Sequence, residues 1–319
     1  MSAVVVYGAS GHTGRFIVAE LGRRGVETIA SGRRVATLDD PRALDRALAG
    51  AAAVVNCAGP FASTAGPVVA AARRAGIPYV DVAAEIEAIT ALLSDRADQV
   101  TPVVPAMAFY GGLGDLLVTA AMGDWAAADE ALIAYGLSSW HPTAGTRVAG
   151  QVSHRRRAGR RVRFTRGALE YHDDQPVEQD WPFPPPLGRR AVIAEFSMAD
   201  IVTVPSHLAI PEVRTFMAAE AARDLAATDT PPPEPVDALG RSAQTFVVDV
   251  VVRAGGAERR ATARGQDIYA VTAPLVAEAV TRLLAGRTRT AGVASAGAMF
   301  DAADFLRSLE SSGAVLRDR

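Results

Sequence analysis

An apolar β-branched run, Val4-Val5-Val6-Tyr7, leads straight into Gly8-Ala9-Ser10-Gly11-His12-Thr13-Gly14 and then into a helix-like stretch at 14–24. This opening constrains the fold more than any other segment. Glycine lets the backbone turn sharply and lets another group approach it closely. The first turn of a helix adds free N–H groups and a positive dipole end. A strand, a glycine loop and a helix in that order make the phosphate cradle of a dinucleotide-binding βαβ unit. Glycines 8, 11 and 14 follow Gly-x-x-Gly-x-x-Gly, so the second glycine falls one residue later than in Gly-x-Gly-x-x-Gly. The wider loop is expected to leave Ser10, His12 and Thr13 near the phosphates.

The next hundred residues keep the alternation. Strand-like runs at 28–31, 53–57, 79–83 and 103–108 are separated by helix-like runs at 41–48, 66–75 and 86–94. Fully apolar strands between helices predict a parallel sheet covered on both faces. Past about residue 129 the period falls to two. The runs 131–137, 147–154, 162–171, 246–253 and 259–266 read as a mostly antiparallel sheet with one wetter face, and Gly255-Gly256 as a hairpin turn. Helical patterning returns at 273–285 and 300–309. The expectation is an α/β chain: a Rossmann-type NADP-binding domain at 1–125, an α+β substrate or dimerisation domain at 126–271, and C-terminal helices at 272–319 packing back on the first.

Composition removes several chemistries. All 33 basic residues are arginine, so no Schiff-base lysine, P-loop lysine or Tyr–Lys catalytic pair exists. A net charge of -2 gives no bulk argument for nucleic acid. Cys57 is the only cysteine, which excludes an intrachain disulfide and a Cys-based zinc site and suits a reducing, cytoplasmic setting. No two histidines stand at metal-ligand spacing, so no metal is expected. The chain opens on a strand without a basic n-region, and no run of about 18 apolar residues suggests a membrane span.

The second strand selects the nucleotide. An NAD site places Asp or Glu about 20 residues past the loop, on the ribose hydroxyls. Residues 28–38 contain no acid and end the strand with Ser31-Gly32-Arg33-Arg34. Arginine there binds a 2′-phosphate in bidentate fashion and stacks on adenine. NADP(H) is therefore expected.

Together with the glycine loop, Asn56-Cys57-Ala58-Gly59-Pro60-Phe61 resembles the saccharopine dehydrogenase-like NADP-binding proteins, which include a trans-acting enoyl reductase branch. Gly66-Pro67-Val68-Val69, Ala75-Gly76-Ile77-Pro78-Tyr79-Val80-Asp81 and Gly265-Gln266-Asp267-Ile268-Tyr269-Ala270 agree with it. The likeness is dense over 1–115 and again over 245–295. Where enoyl reductase-like members often carry Asp-Ser-x-Pro-Ser-Asp, this chain has Phe109-Tyr110-Gly111-Gly112-Leu113-Gly114-Asp115. The resemblance implies a reductase that uses NAD(P)H on an imine or an α,β-unsaturated carbonyl. It also implies that Cys57, Ala58, Gly59, Pro60 and Phe61 run along the nicotinamide half of the cofactor.

Such reduction needs a proton donor as well as a hydride. Tyr110 is the first candidate, because it follows a strand at the carboxyl edge where substrates bind. Tyr171, beside His172, is the second. Asp81 and Glu85 are candidate partners for a cationic substrate amine, with helix capping as the other role for Glu85. Seven arginines at 155, 156, 157, 160, 161, 163 and 166 read either as a solvated hairpin turning at Gly159 or as an anion dock. The dock would suit a small-molecule substrate carried on CoA or on a carrier protein. The wetter sheet is able to pair two subunits as a homodimer. An NADP-binding sensor without turnover is the alternative to a reductase.

Overall fold

A computed structural model describes residues 3–97 and 99–318. The first half is β1 (Val4–Tyr7), α1 (His12–Arg23), β2 (Thr28–Ser31), α2 (Pro41–Leu48), β3 (Ala53–Asn56), α3 (Phe61–Ala75), β4 (Tyr79–Asp81), α4 (Ile86–Leu93) and β5 (Val103–Val104). These strands form one parallel sheet in the order β2-β1-β3-β4-β5. All four residues of β1 and all four of β3 are buried, as strands sandwiched between helix layers must be.

The chain then passes through a π-helical turn, Phe109–Leu113, into α5 (Gly114–Met122), β6 (Glu130–Leu137), α6 (Ala144–Arg156), β7 (Arg161–Thr165), β8 (Ala168–His172), β9 (Glu178–Pro182) and β10 (Arg189–Ala194). After α7 (Asp200–Thr203) come β11 (Glu212–Ala218), α8 (Ala219–Ala226), β12 (Thr245–Ala254) and β13 (Ala257–Gln266). The chain ends in α9 (Thr272–Leu284), α10 (Ala296–Met299), α11 (Ala302–Ser311) and β14 (Leu316–Asp318). The second sheet runs β14-β13-β12-β6-β11-β10-β9, with β7 and β8 branching from β11. Its pairs are antiparallel except β6 with β11.

Alternate residues of β6 and β12 point to opposite faces of this sheet, and both faces are buried. Ile133, Tyr135, Phe246, Val248 and Val250 join the main core, while Leu132, Ala134, Val247 and Val251 pack outward beneath Trp181 and Phe183. The outer face carries one fully buried acid, Asp249, which accepts from Trp181 Nε1, Thr262 Oγ1 and the Arg260 guanidinium. The C-terminal helices return to the first sheet. Arg24 on α1 reaches Glu278 on α9 at 2.8 Å, and Arg282, 2% exposed, shares that carboxylate. Residues 292–294 extend the parallel sheet, with Val103 N donating to Gly292 O and Ala294 N to Val103 O.

Several local expectations need correction. The run 147–154, expected to be a strand, lies inside α6. Thr143 accepts from Thr146 N as its cap, and the Gly, Ala and Ser residues of the helix supply no apolar stripe. Gly159 does not turn a hairpin. It terminates α6 at φ +78°, donating to His154 O, and the hairpin turns instead at Arg166-Gly167. The strand expected at 103–108 pairs over only two residues, because Ala106 adopts φ +55°. The helix expected from residue 66 begins at Phe61.

Candidate functional site

The glycine loop is built by close backbone approach. Gly8 leaves β1 at φ +89°, and a Cβ on it would stand 2.8 Å from Ala58 N and 2.9 Å from Cys57 C. A Cβ on Gly14 would collide with the Gly8 carbonyl. Gly8 N donates to Ser31 O and Gly11 N to Gly8 O, so the loop is tied to β2 and to itself. Gly11 starts α1 without a side-chain cap, and the first turn carries no acid. Ser10 is exposed, and Thr13 lines the cavity described below.

Two buried polar atoms at this end have no hydrogen-bond partner: Ser31 Oγ and His12 Nε2. Burial also lowers the His12 pKa, with Asp267 acting against it. Arg33 and Arg34 stand exposed in the turn after β2 and make no ion pair among the described residues. Tyr7 Oη holds that turn by donating to Ala36 O. The donor set fits NADP(H). The uncapped helix start and the orphan imidazole suit a pyrophosphate, and Ser31 with the two arginines suits a phosphorylated ribose.

A buried network fixes the segment after β3. Asn56 Nδ2 donates to Thr64 Oγ1 and Tyr79 Oη, while its Oδ1 accepts from Ala58 N. Tyr79 Oη donates to Asp81 Oδ2. Asp81 Oδ1 accepts from Ala83 N and Ala106 N. Burial pushes the Asp81 pKa up to about 6 against these bonds. Asp81, expected to meet a substrate amine, is fully buried and does not line the cavity described below. Its position at the end of β4 makes it the clamp between two loops instead.

Glu85 reaches the cavity, but Phe61 N and Ala62 N donate to its two oxygens at 2.7 and 2.9 Å. It caps α3, the helix opened by the cis Gly59–Pro60 peptide, rather than its own helix α4. Burial raises its pKa, and the Arg156 charge acts the other way.

Between the two sheets lies a cavity of about 480 Å³. Cys57, Gly59 and Phe61 line one end, while Ala58 and Pro60 stay behind them. Burial pushes the Cys57 thiol far above its ordinary value, so it is a small neutral wall. Tyr110 also lines the cavity. It is 8% exposed, and its hydroxyl has no hydrogen-bond partner. Its ring is held by Phe109, Tyr135 and Trp140 at centroid distances of 4.8, 5.0 and 5.2 Å. Burial raises its pKa well above the ordinary tyrosine value, helped by Tyr269 and Asp200. Behind it, Tyr135 Oη donates to Asp200, a fully buried acid whose pKa desolvation lifts to about 7.

A model of the saccharopine dehydrogenase NADP binding domain matches residues 29–104. That stretch, from β2 to β5, is therefore similar to a saccharopine dehydrogenase NADP binding domain. The fold of the whole chain is that of the apo saccharopine dehydrogenase (L-Glu forming) of Saccharomyces cerevisiae, with a TM-score of 0.63 at 12% identity over 100% of this chain and 99% of that one. The diaminopimelate (DAP) dehydrogenase of C. glutamicum aligns over 97% of this chain and 98% of its own, at 15% identity and a TM-score of 0.45. No curated protein sequence matches the chain. The matched model describes an NADP binding domain, in agreement with the donor set around the glycine loop.

Tyr171 stands apart from the cavity. It is 36% exposed on β8, with the Arg160 guanidinium 5.2 Å over its ring, and is not brought together with Tyr110. His172 is buried beside it, also outside the cavity. Sequence reasoning left out Tyr269, whose hydroxyl accepts from Thr143 N and stands within 3.0 Å of Thr146 Oγ1. It left out Trp140 and Asp200 as well. Tyr269 and Asn56 sit inside blocks that carry the family likeness, so a signal for both was present. Trp140 had none, because its place in the cavity depends on strand pairing 100 residues away. No helix among the described residues is long and apolar enough to cross a membrane.

Proposed function

We propose that this protein uses NADPH to reduce a C=N or an α,β-unsaturated C=C bond in a small molecule held in the 480 Å³ cavity, with Tyr110 as the proton donor. The observation that carries this reading is Tyr110, which lines the same cavity as Cys57, Gly59 and Phe61 and whose buried hydroxyl has no hydrogen-bond partner. NADPH, when bound, supplies the hydride. Phe61 walls the nicotinamide end, and the neutral Cys57 thiol leaves it uncharged. The Tyr110 O–H gives its proton to the nitrogen or α-carbon of the reduced bond, and water entering at the mouth restores it. Burial keeps this tyrosine protonated at neutral pH, so it is always a donor. The lone free cysteine suits a cytoplasmic setting, and the arginines at the mouth suit a substrate delivered on CoA or a carrier protein.

The test is NADPH oxidation against a panel of imines and enones with Tyr110→Phe beside the wild type. The expected result is a kcat lower by roughly 10²–10⁴-fold, with NADPH affinity unchanged. An unaltered kcat removes Tyr110 from the chemistry. Tight NADPH binding with no oxidation across the whole panel would make the chain an NADP-binding sensor.

A further inference from the structure

We propose that the cavity takes a substrate with an oxyanion head and a slender apolar body, the head seated at the rim against Arg160. The inference rests on the reading that this cavity is the substrate site.

The walls define the body. One wall is the inner face of α6, where Gly145, Ala149, Gly150 and Ser153 line the cavity at helical spacing. None of the 13 residues of α6 is buried, so the helix stands over the cavity instead of packing into the core. Opposite are Trp140, Phe196, Leu225 and Ile268. Neither wall carries a charge. The one acid in the lining, Glu85, has both oxygens held by backbone N–H groups. Tyr110 lines the same space, and its buried hydroxyl has no partner among the described residues.

The rim defines the head. Arg157 is paired with Glu87 at 2.7 Å, and the Arg161 guanidinium donates to the carbonyls of Asp174, Ala194 and Glu195. Arg160 differs. Its Nε donates to Arg157 O, its face covers Tyr171, and it meets no carboxylate among the described residues. An unpaired guanidinium at the edge of an apolar slot offers the planar fork that carboxylates and phosphates bind.

Carboxylate and phosphate ester heads share this chemistry, so the test separates them. The NADP+-saturated protein is titrated by calorimetry with octanoate, octyl phosphate, octanol and octylamine. Wild type is compared with Arg160→Gln and with Arg166→Gln, a surface control outside the cavity. At least one of the two anions is expected to bind 10-fold or more tightly than octanol. Arg160→Gln is expected to erase that margin, while Arg166→Gln keeps it. The tighter anion names the head group. Equal binding of octanol, no anion binding at all, or a margin that survives Arg160→Gln overturns the proposal. NADP+ affinity is measured in the same protein. Its retention alongside those failures sinks only the substrate class, and its loss sinks the reductase reading.

Discussion

The two sides of the cavity are held by different materials. The cofactor side is backbone against backbone: Gly8 touches the 57–58 peptide, Gly14 touches the Gly8 carbonyl, and Glu85 grips two N–H groups of α3. The substrate side is made of side chains from remote segments, with Tyr110, Trp140, Phe196 and Tyr269 converging from four elements or loops. Backbone contact demands residues without bulk, and that demand is written locally as glycine. Side-chain convergence demands only that a residue be the right size once the sheet has formed. The first side is therefore rigid by local geometry, and the second by tertiary packing.

The sharpest way to break this comparison is Gly8→Ala. The added methyl would enter the Cys57–Ala58 backbone at 2.8–2.9 Å, at a φ that alanine resists. The expected result is a loss of NADP(H) affinity beyond about 100-fold and a destabilisation of about 1–3 kcal/mol. Gly150→Ala on the other side meets nothing within 4 Å inside α6 and is expected to leave NADP(H) affinity unchanged while adding about 0.5–1 kcal/mol of stability. Calorimetry and urea unfolding read the two variants side by side. A Gly8→Ala protein that binds NADP(H) normally would show that the loop yields.

The same division explains what was legible beforehand. The glycine loop, β2, α2 and the Asn56–Phe61 block were readable because each is decided by neighbours in sequence. The antiparallel sheet was readable from the Gly255-Gly256 hairpin turn, whereas β6 and β12 are buried on both faces and lack the wetter face expected of them. Segment 147–154 misled because Gly, Ala and Ser supply no apolar stripe when the helix face they form borders a cavity. The arginine run was ambiguous for a related reason. Which guanidiniums are engaged depends on Glu87, Asp174 and Glu195, brought near only by folding. At Asp81 the strand end that usually meets ligands stitches two loops together, a contact that only folding creates.

Buried charge offers a second test on the substrate side. The Asp200 pKa, about 7 in the folded protein against an ordinary 3.8, is raised. Its contribution to stability is therefore full below about pH 4 and is lost as pH rises to about 7. Within that window each pH unit removes up to about 1.4 kcal/mol. Asp200→Asn keeps an acceptor for Tyr135 and removes the ionisation. Relative to wild type, its stability in urea is expected to climb between pH 4.5 and 7.5. A difference that stays flat across those pH values would mean Asp200 is solvated.

On the cofactor side the smaller test concerns selectivity. Arg33→Ala combined with Arg34→Ala leaves the glycine loop intact and removes two unpaired cations. NADPH affinity is expected to fall by about 10–100-fold, since hydrogen bonds to charged groups are worth about 1.5–3 kcal/mol, while NADH affinity stays level. Equal losses for both nucleotides would place the arginines on the shared diphosphate and move the selectivity elsewhere.

Tyr269 sits where the two sides meet, and its variant is expected to show the smallest effect. Its ring stands edge-on to His12 at 5.2 Å, and its hydroxyl bonds Thr143 N at the start of α6 and His141 O beside it. Tyr269→Phe keeps the ring contact and deletes the hydroxyl bonds, a loss of about 1 kcal/mol. If the sides are separate structures, NADP(H) affinity is unchanged, and only ligands lying along α6 weaken, by roughly 3–5-fold on that same energy. An equal loss on both sides would show that the α6 anchor and the phosphate loop move as one body. The contrast between backbone and side-chain construction would then describe how each side is built, but not how the site responds to its ligands.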